Sequence, residues 1–197
     1  MRKIYNKDLT TDLMERNEKI AVGAEKLKIL DLSTLRISPA KGNWSILQCF
    51  GHMNILYEIY LRNIKKSLKK SKAKGISPSG FYIPGYFGNK FYLKMLPAKT
   101  GEKKKRMKTP KKFMPEMNDK AIDDFLAHHR IFTVLIRRIP EQNLGMSKAA
   151  VSIGRIIRFK LGDIYRIITG HKERHIMQAK NTAELLSKSL DQLHYTS

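Results

Sequence analysis

The sequence predicts an all-α protein, a four-helix bundle with a long basic insertion between its second and third helices. Three observations predict this class. Apolar residues recur with near-helical spacing along four long stretches. Two shorter connections and one long one separate those stretches, a pattern that suits a bundle and allows a crossover. Three histidines, His52, His171 and His175, sit on stretches whose same-face neighbours are largely apolar, so the imidazoles are expected to point inward. At 197 residues the chain suits a single domain, 1–197, that can bury a core without disulfides.

The first helix is expected over roughly Leu9 to Leu35, with Leu13, Ile20, Ala24, Leu27 and Leu30 on one face and Asp8 or Thr10 as its cap. A turn at 38–43 follows. The second helix is expected from Ser45 to Lys70, capped by Asn43 or Ser45. Its stripe includes Leu47, Phe50, His52, Leu56, Tyr60 and Ile64, and its lysine-rich end suits the helix dipole. Residues 71–116 carry a density of Gly and Pro that breaks regular structure, yet aromatics such as Phe81, Tyr82, Phe91 and Phe113 predict that part of it packs on the bundle. A short helix is expected near Phe87 to Met95, and a loose loop over Lys103 to Lys112. The third helix is expected over Asp119 to Ile139, with Asn118 as cap and Pro140 as stop. In it His129 reads as a packed histidine and His128 as exposed. A loop with an extended run at 154–160 leads to the fourth helix, from Gly162-Asp163 to about Leu190.

The formal net charge is +22, and it belongs to a region. Between Arg62 and Lys112 there are 17 Lys and Arg against one acid, Glu102. Such a cluster attracts nucleic acid, anionic lipid or acidic ligands, or else forms a solvated lysine-rich surface. Weak, sequence-independent polyanion binding through 99–112 is the expectation. The single cysteine, Cys49, cannot close an internal disulfide and points to a reducing compartment. No signal-like or membrane-spanning apolar run is visible, so the expected setting is cytoplasmic.

His171 and His175 are four residues apart and project from one helical face, and His52 from another helix can complete a three-nitrogen metal site. Three protein ligands leave an open position for water or substrate. Three buried imidazoles without partners would be costly, and a shared cation satisfies them all. Gln178, one turn beyond His175, Trp44 at the start of the second helix, and Gln48 are the expected supporting residues. Cys49, three residues before His52, reads as a small core residue rather than a ligand. Lys172 and Arg174 flank the histidines, as exposed charges or as holders of an anionic substrate. The protease pattern with Glu directly after the first His is absent: Lys172 stands there, and Glu173 lies about 200° round the helix.

The W-S-x-x-Q-x-x-x-H run at 44–52 and the H-x-x-x-H-x-x-Q run at 171–178 together resemble the DinB-like superfamily. The resemblance extends over most of the chain, including Lys108-Thr109-Pro110 and the run 159–163. It implies an up-down-down-up bundle, metal ligation by His52, His171 and His175, a bound nickel, zinc or other divalent ion, and a homodimer. It implies thiol S-transferase or metal-dependent hydrolase activity on a small molecule, with a low-molecular-weight thiol as one substrate. Without a visible carboxylate base, the composition of the site favours metal activation of the nucleophile. The alternative is a basic, non-enzymatic binding module for nucleic acid or another polyanion, with a structural metal or none.

Overall fold

A computed structural model describes residues 1–98, 108–152 and 154–195. Helix α1 spans Asn6–Lys28, α2 Leu32–Arg36, α3 Ile46–Ala73, α4 Tyr86–Met95, α5 Ala121–Arg137 and α6 Leu161–Tyr195. Strands β1 (Ile4–Tyr5) and β2 (Phe81–Tyr82) form one small antiparallel ribbon, and β3 (Lys148–Val151) and β4 (Gly154–Lys160) form another. Among the described residues no helix is long and apolar enough to cross a membrane.

Side-chain pairs fix the directions of the four bundle helices. Asn17 bonds Thr133, whereas Lys28 pairs with Asp123, so α1 and α5 are antiparallel. Asn17 also meets Lys172, and Gly23 lies against Ile176 and Lys180, so α1 and α6 are parallel. Phe50 packs on Phe125 and Tyr57 on Phe132, which makes α3 and α5 parallel. His52 faces His171 and His175, while Ser71 at the far end of α3 bonds Ser147, whose carbonyl accepts from Leu161 at the start of α6. Helices α3 and α6 are therefore antiparallel, and the order is up-down-down-up. Because α3 and α5 run the same way, the chain between them must travel back along the bundle. Helix α3 has 28 residues, roughly 42 Å at 1.5 Å per residue, and that return is the physical reason for the long insertion.

The first helix differs from expectation at both ends. It begins at Asn6 because β1 pairs with β2 and Asn6 Nδ2 donates to the Ser79 carbonyl at 2.6 Å. Asp8 and Thr10 are not caps; the Thr10 hydroxyl donates back to the Asn6 carbonyl inside the helix. It stops at Lys28 because Asp31 caps a separate helix, its carboxylate accepting from the Thr34 amide at 2.9 Å. For α3 the cap is Ser45, in a reciprocal capping box with Gln48. Helix α5 has no side-chain cap; the Asn118 side-chain Oδ1 accepts from the Lys120 amide and shapes the preceding turn.

The insertion is more ordered than its composition suggests. Tyr82 is fully buried, and α4 packs Tyr92 and Met95 against α6. That approach needs glycine: a Cβ on Gly88 would collide with the Asp163 carboxylate, and one on Gly162 would sit 2.5 Å from the Tyr82 ring. Asp163, at the start of α6, is buried and accepts from the Gly85 amide at 2.9 Å. In the second ribbon Ala149 pairs with Phe159 and Ala150 with Arg158, so the expected extended run has a strand partner. The central core is aromatic, with Phe50, Tyr57, Phe125, Phe132 and Tyr165 in mutual ring contact.

Candidate metal centre

Two helices deliver the three histidines to one place. His52 lies on the second turn of α3, and His171 and His175 lie one turn apart on the antiparallel α6. Their ligand atoms all fall within 4.8 Å of one another. The His171 and His175 Nε2 atoms are 3.0 Å apart. Two nitrogens about 2.0–2.1 Å from one tetrahedral ion would be separated by roughly 3.3 Å, so the spacing fits a shared cation.

The opposite ring nitrogens explain why the Nε2 atoms converge. His52 Nδ1 lies 2.8 Å from the Phe113 carbonyl, a pure acceptor, so the proton sits on Nδ1 and Nε2 keeps its lone pair. His175 Nδ1 lies 3.1 Å from Gln178 Oε1, with the same consequence. Burial lowers the pKa of all three histidines, that of His171 to about 3, helped by the neighbouring His52 and Arg174. They are neutral imidazoles at neutral pH, the form that binds a divalent ion. His171 Nε2 at 3.0 Å donates to the His175 Nε2 lone pair when it carries a proton, and a cation shared by the two nitrogens would take that proton's place. The donor set therefore fits the ion.

Around them opens a cleft of about 730 Å³. Trp44 is half-buried on its wall, 4.8 Å from the His52 ring and stacked at 5.7 Å and 24° on His175. Gln178 lines the same cleft. Gln48 does not; its Oε1 accepts from the Ser45 amide at 3.0 Å and serves the start of α3. Cys49 is fully buried in the core, and burial pushes its thiol up to about 12.

The charges between the histidines separate sharply. Lys172 is not on the cleft: it is buried, donates to Asn17 Oδ1, and rests over the Phe132 and Tyr57 rings at 4.2 and 5.3 Å. Glu173 turns away and accepts from Arg16 through both oxygens at 2.7 Å. Arg174 lines the cleft, its Nη1 donating to the Lys94 carbonyl at 3.1 Å. His129 is packed as expected, but His128 is half-buried rather than exposed, its Nδ1 3.2 Å from Asn54 Oδ1.

A family model of the DinB superfamily matches residues 24–179. The chain belongs to the DinB superfamily. No curated protein and no solved structure matches it. The match spans all three histidines, the whole of α3, the return segment and the part of α6 that carries His171 and His175. It is compatible with a metal-dependent enzyme.

Within this DinB-superfamily chain, sequence reasoning missed Phe113, whose backbone carbonyl orients His52, and the Tyr60–Ser152 hydroxyl pair at 3.2 Å on the cleft wall. A carbonyl ligand leaves no side-chain signature; the only hint was a buried aromatic inside a Pro-rich segment. Of the basic run at 99–112, residues 99–107 lie outside the described residues, while Lys108, Lys111 and Lys112 are exposed.

Proposed function

We propose that this protein is a divalent-metal-dependent enzyme that holds nickel or zinc on His52, His171 and His175 and transfers a low-molecular-weight thiol to an electrophile. The observation that carries this reading is the convergence of three neutral imidazoles on a cleft with no Asp or Glu among its described lining residues. When bound, the ion would supply Lewis-acid activation, lowering the pKa of a thiol or water that reaches it. The chain's own residues orient and enclose. Phe113 and Gln178 fix the proton-bearing nitrogens of His52 and His175. Trp44 stacks over His175 and keeps water off that face of the ring. Hydrolysis of an amide or ester is served best by a carboxylate base within reach of the attacking water. The nearest acid in sequence, Glu173, is spent on Arg16. A thiol whose pKa is lowered can release its proton to bulk water before it attacks, and the thiolate then forms the C–S bond as the electrophile's leaving group departs; this needs no carboxylate in the cleft, which favours transfer over hydrolysis.

Elemental analysis of the purified protein should find about one divalent ion per chain, as one three-ligand site requires. The His52→Ala, His171→Ala, His175→Ala triple variant should contain none; unchanged metal content in it places the ion elsewhere and ends this reading. In a parallel screen, the nickel- and zinc-loaded protein is offered a panel of small thiols with an aryl halide, and esters and amides without thiol. Thiol-dependent turnover is the expected result. Ester or amide turnover with no thiol present rules out the transferase and leaves a hydrolase.

A further inference from the structure

The cleft beside the histidines is apolar on its walls and positive in its charge. Leu56, Phe91, Met95, Phe113 and Ile167 supply the walls. Its charged side chains among the described residues are Arg174 and the exposed rim residue Lys108. Among the described lining residues there is no carboxylate to offset them. Arg174 is placed rather than loose: it rises from α6 between the two histidines and its Nη1 is anchored on the Lys94 carbonyl of α4. A guanidinium holds its N–H donors in a fixed, planar fork, so the contact at Nη1 sets the orientation of the whole charged group.

We infer that the cleft takes an organic acid, a molecule with an apolar body and an anionic head that reaches Arg174 and Lys108. The inference rests on reading this cleft as the substrate site, and it names the substrate's class. A neutral apolar molecule would gain the walls but nothing from the two cations. An inorganic anion would gain the cations but leave the walls wet. An organic cation would meet charge of its own sign in an enclosure where that repulsion is poorly screened. The organic anion alone gains both, with charge-assisted contacts that are about twice as strong as neutral ones. A divalent ion on the neutral histidines would add positive charge and strengthen the preference.

The test uses a built-in reporter. Trp44 is the single tryptophan of the chain and stands on the cleft wall. Two probes of nearly identical apolar body are titrated into the full-length protein: anilinonaphthalene sulfonate, which is anionic, and N-phenylnaphthylamine, which is neutral. Energy transfer from Trp44 reports binding in the cleft. The sulfonate should bind at least about tenfold more tightly, the factor that one charge-assisted contact supplies. Arg174→Gln with Lys108→Gln should erase that advantage and leave the neutral probe's midpoint unmoved. Lys108→Gln alone, at an exposed position, should reduce the advantage even if the double variant fails to fold. Equal midpoints for the two probes in the parent protein, or a sulfonate midpoint indifferent to both substitutions, overturns the inference. Each titration is run with zinc and with a chelator. Sulfonate preference that depends on Arg174 and Lys108 under both conditions, with Trp44 emission blind to zinc, upholds the acid site and refutes the metal reading. A zinc-dependent change in Trp44 emission with no probe preference does the reverse.

Discussion

Positions 172, 173 and 174 lie between the two histidines of α6, and the 100° step of the helix sends each charge to a different surrounding. Lys172 enters the core, where its ammonium has Asn17 and two aromatic faces in place of water, and burial drives its pKa well below the ordinary value. Glu173 closes a bidentate pair with Arg16, and Arg174 faces the cleft. The histidines are thus flanked by no acid that could compete for their protons or for an ion. Gln178 meets His175 through its side-chain oxygen, 3.1 Å from the imidazole Nδ1. Replacing it with Leu removes the acceptor that holds the proton on Nδ1. Gln178→Leu should weaken zinc binding about 10- to 100-fold, as loss of such outer hydrogen bonds typically does, with the helical circular dichroism unchanged. Competition against a chromophoric chelator measures it. An unaltered zinc affinity would mean that the contact between Gln178 and His175 does not set the tautomer.

Among the elements, α3 shows how a residue read as part of a site belongs to the scaffold. Gln48 sits in the run that resembles the family motif, and its place four residues before His52 suggested the metal. In the structure it closes the capping box with Ser45, satisfying amides at the start of α3, and fixes where the helix leaves Trp44. Ser45→Ala should therefore cost about 1 kcal/mol of stability, read from chemical denaturation of the zinc-free protein. Gln48→Leu should also destabilise while leaving zinc affinity as in the parent; a drop in affinity without a drop in stability would return Gln48 to the metal. The same contrast explains what was legible in advance. The grouping of the three histidines was legible because i, i+4 spacing and apolar neighbours are local signals, and the long helices because their period persists over many turns. The end of α1 was not, because the apolar pattern runs on through Leu30 and Leu35 while the Asp31 cap breaks the backbone between them. Nor was the β1–β2 ribbon: two residues pair with two others more than seventy positions away, and such short strands carry no period. The β3 strand was hidden by its alanines, which pack because Ala149 and Val151 are buried, not because they favour strands.

At the scale of the whole molecule the charge of +22 is the term that the cleft does not use. Part of it lies on the exposed face of α3 and its C-cap beyond the histidine-bearing end, where Arg62, Lys65, Lys66, Lys69, Lys70, Lys72 and Lys74 all meet solvent. The ion pairs of the described residues involve Arg16, Lys28, Arg36, Arg138 and Arg166 instead. From position 62 to 74 the helical rise gives roughly 18 Å of single-signed ridge, enough to follow several phosphates of a duplex. Its groups are lysine ammoniums and one guanidinium, point charges that suit phosphates, so binding should come from counterion release. The expected outcome is weak duplex binding that does not discriminate sequence. For about five phosphate contacts it should fall roughly 500-fold between 50 and 200 mM salt. Replacing Lys65, Lys66, Lys69 and Lys70 with Gln should flatten the logarithmic salt slope by about one per contact removed, while zinc content stays as in the parent, since those lysines lie beyond His52 and away from α6's histidines. Fluorescence anisotropy across a salt series measures both. Tight, sequence-selective binding that survives high salt would make this ridge the protein's main working surface and demote the histidine site to a structural one.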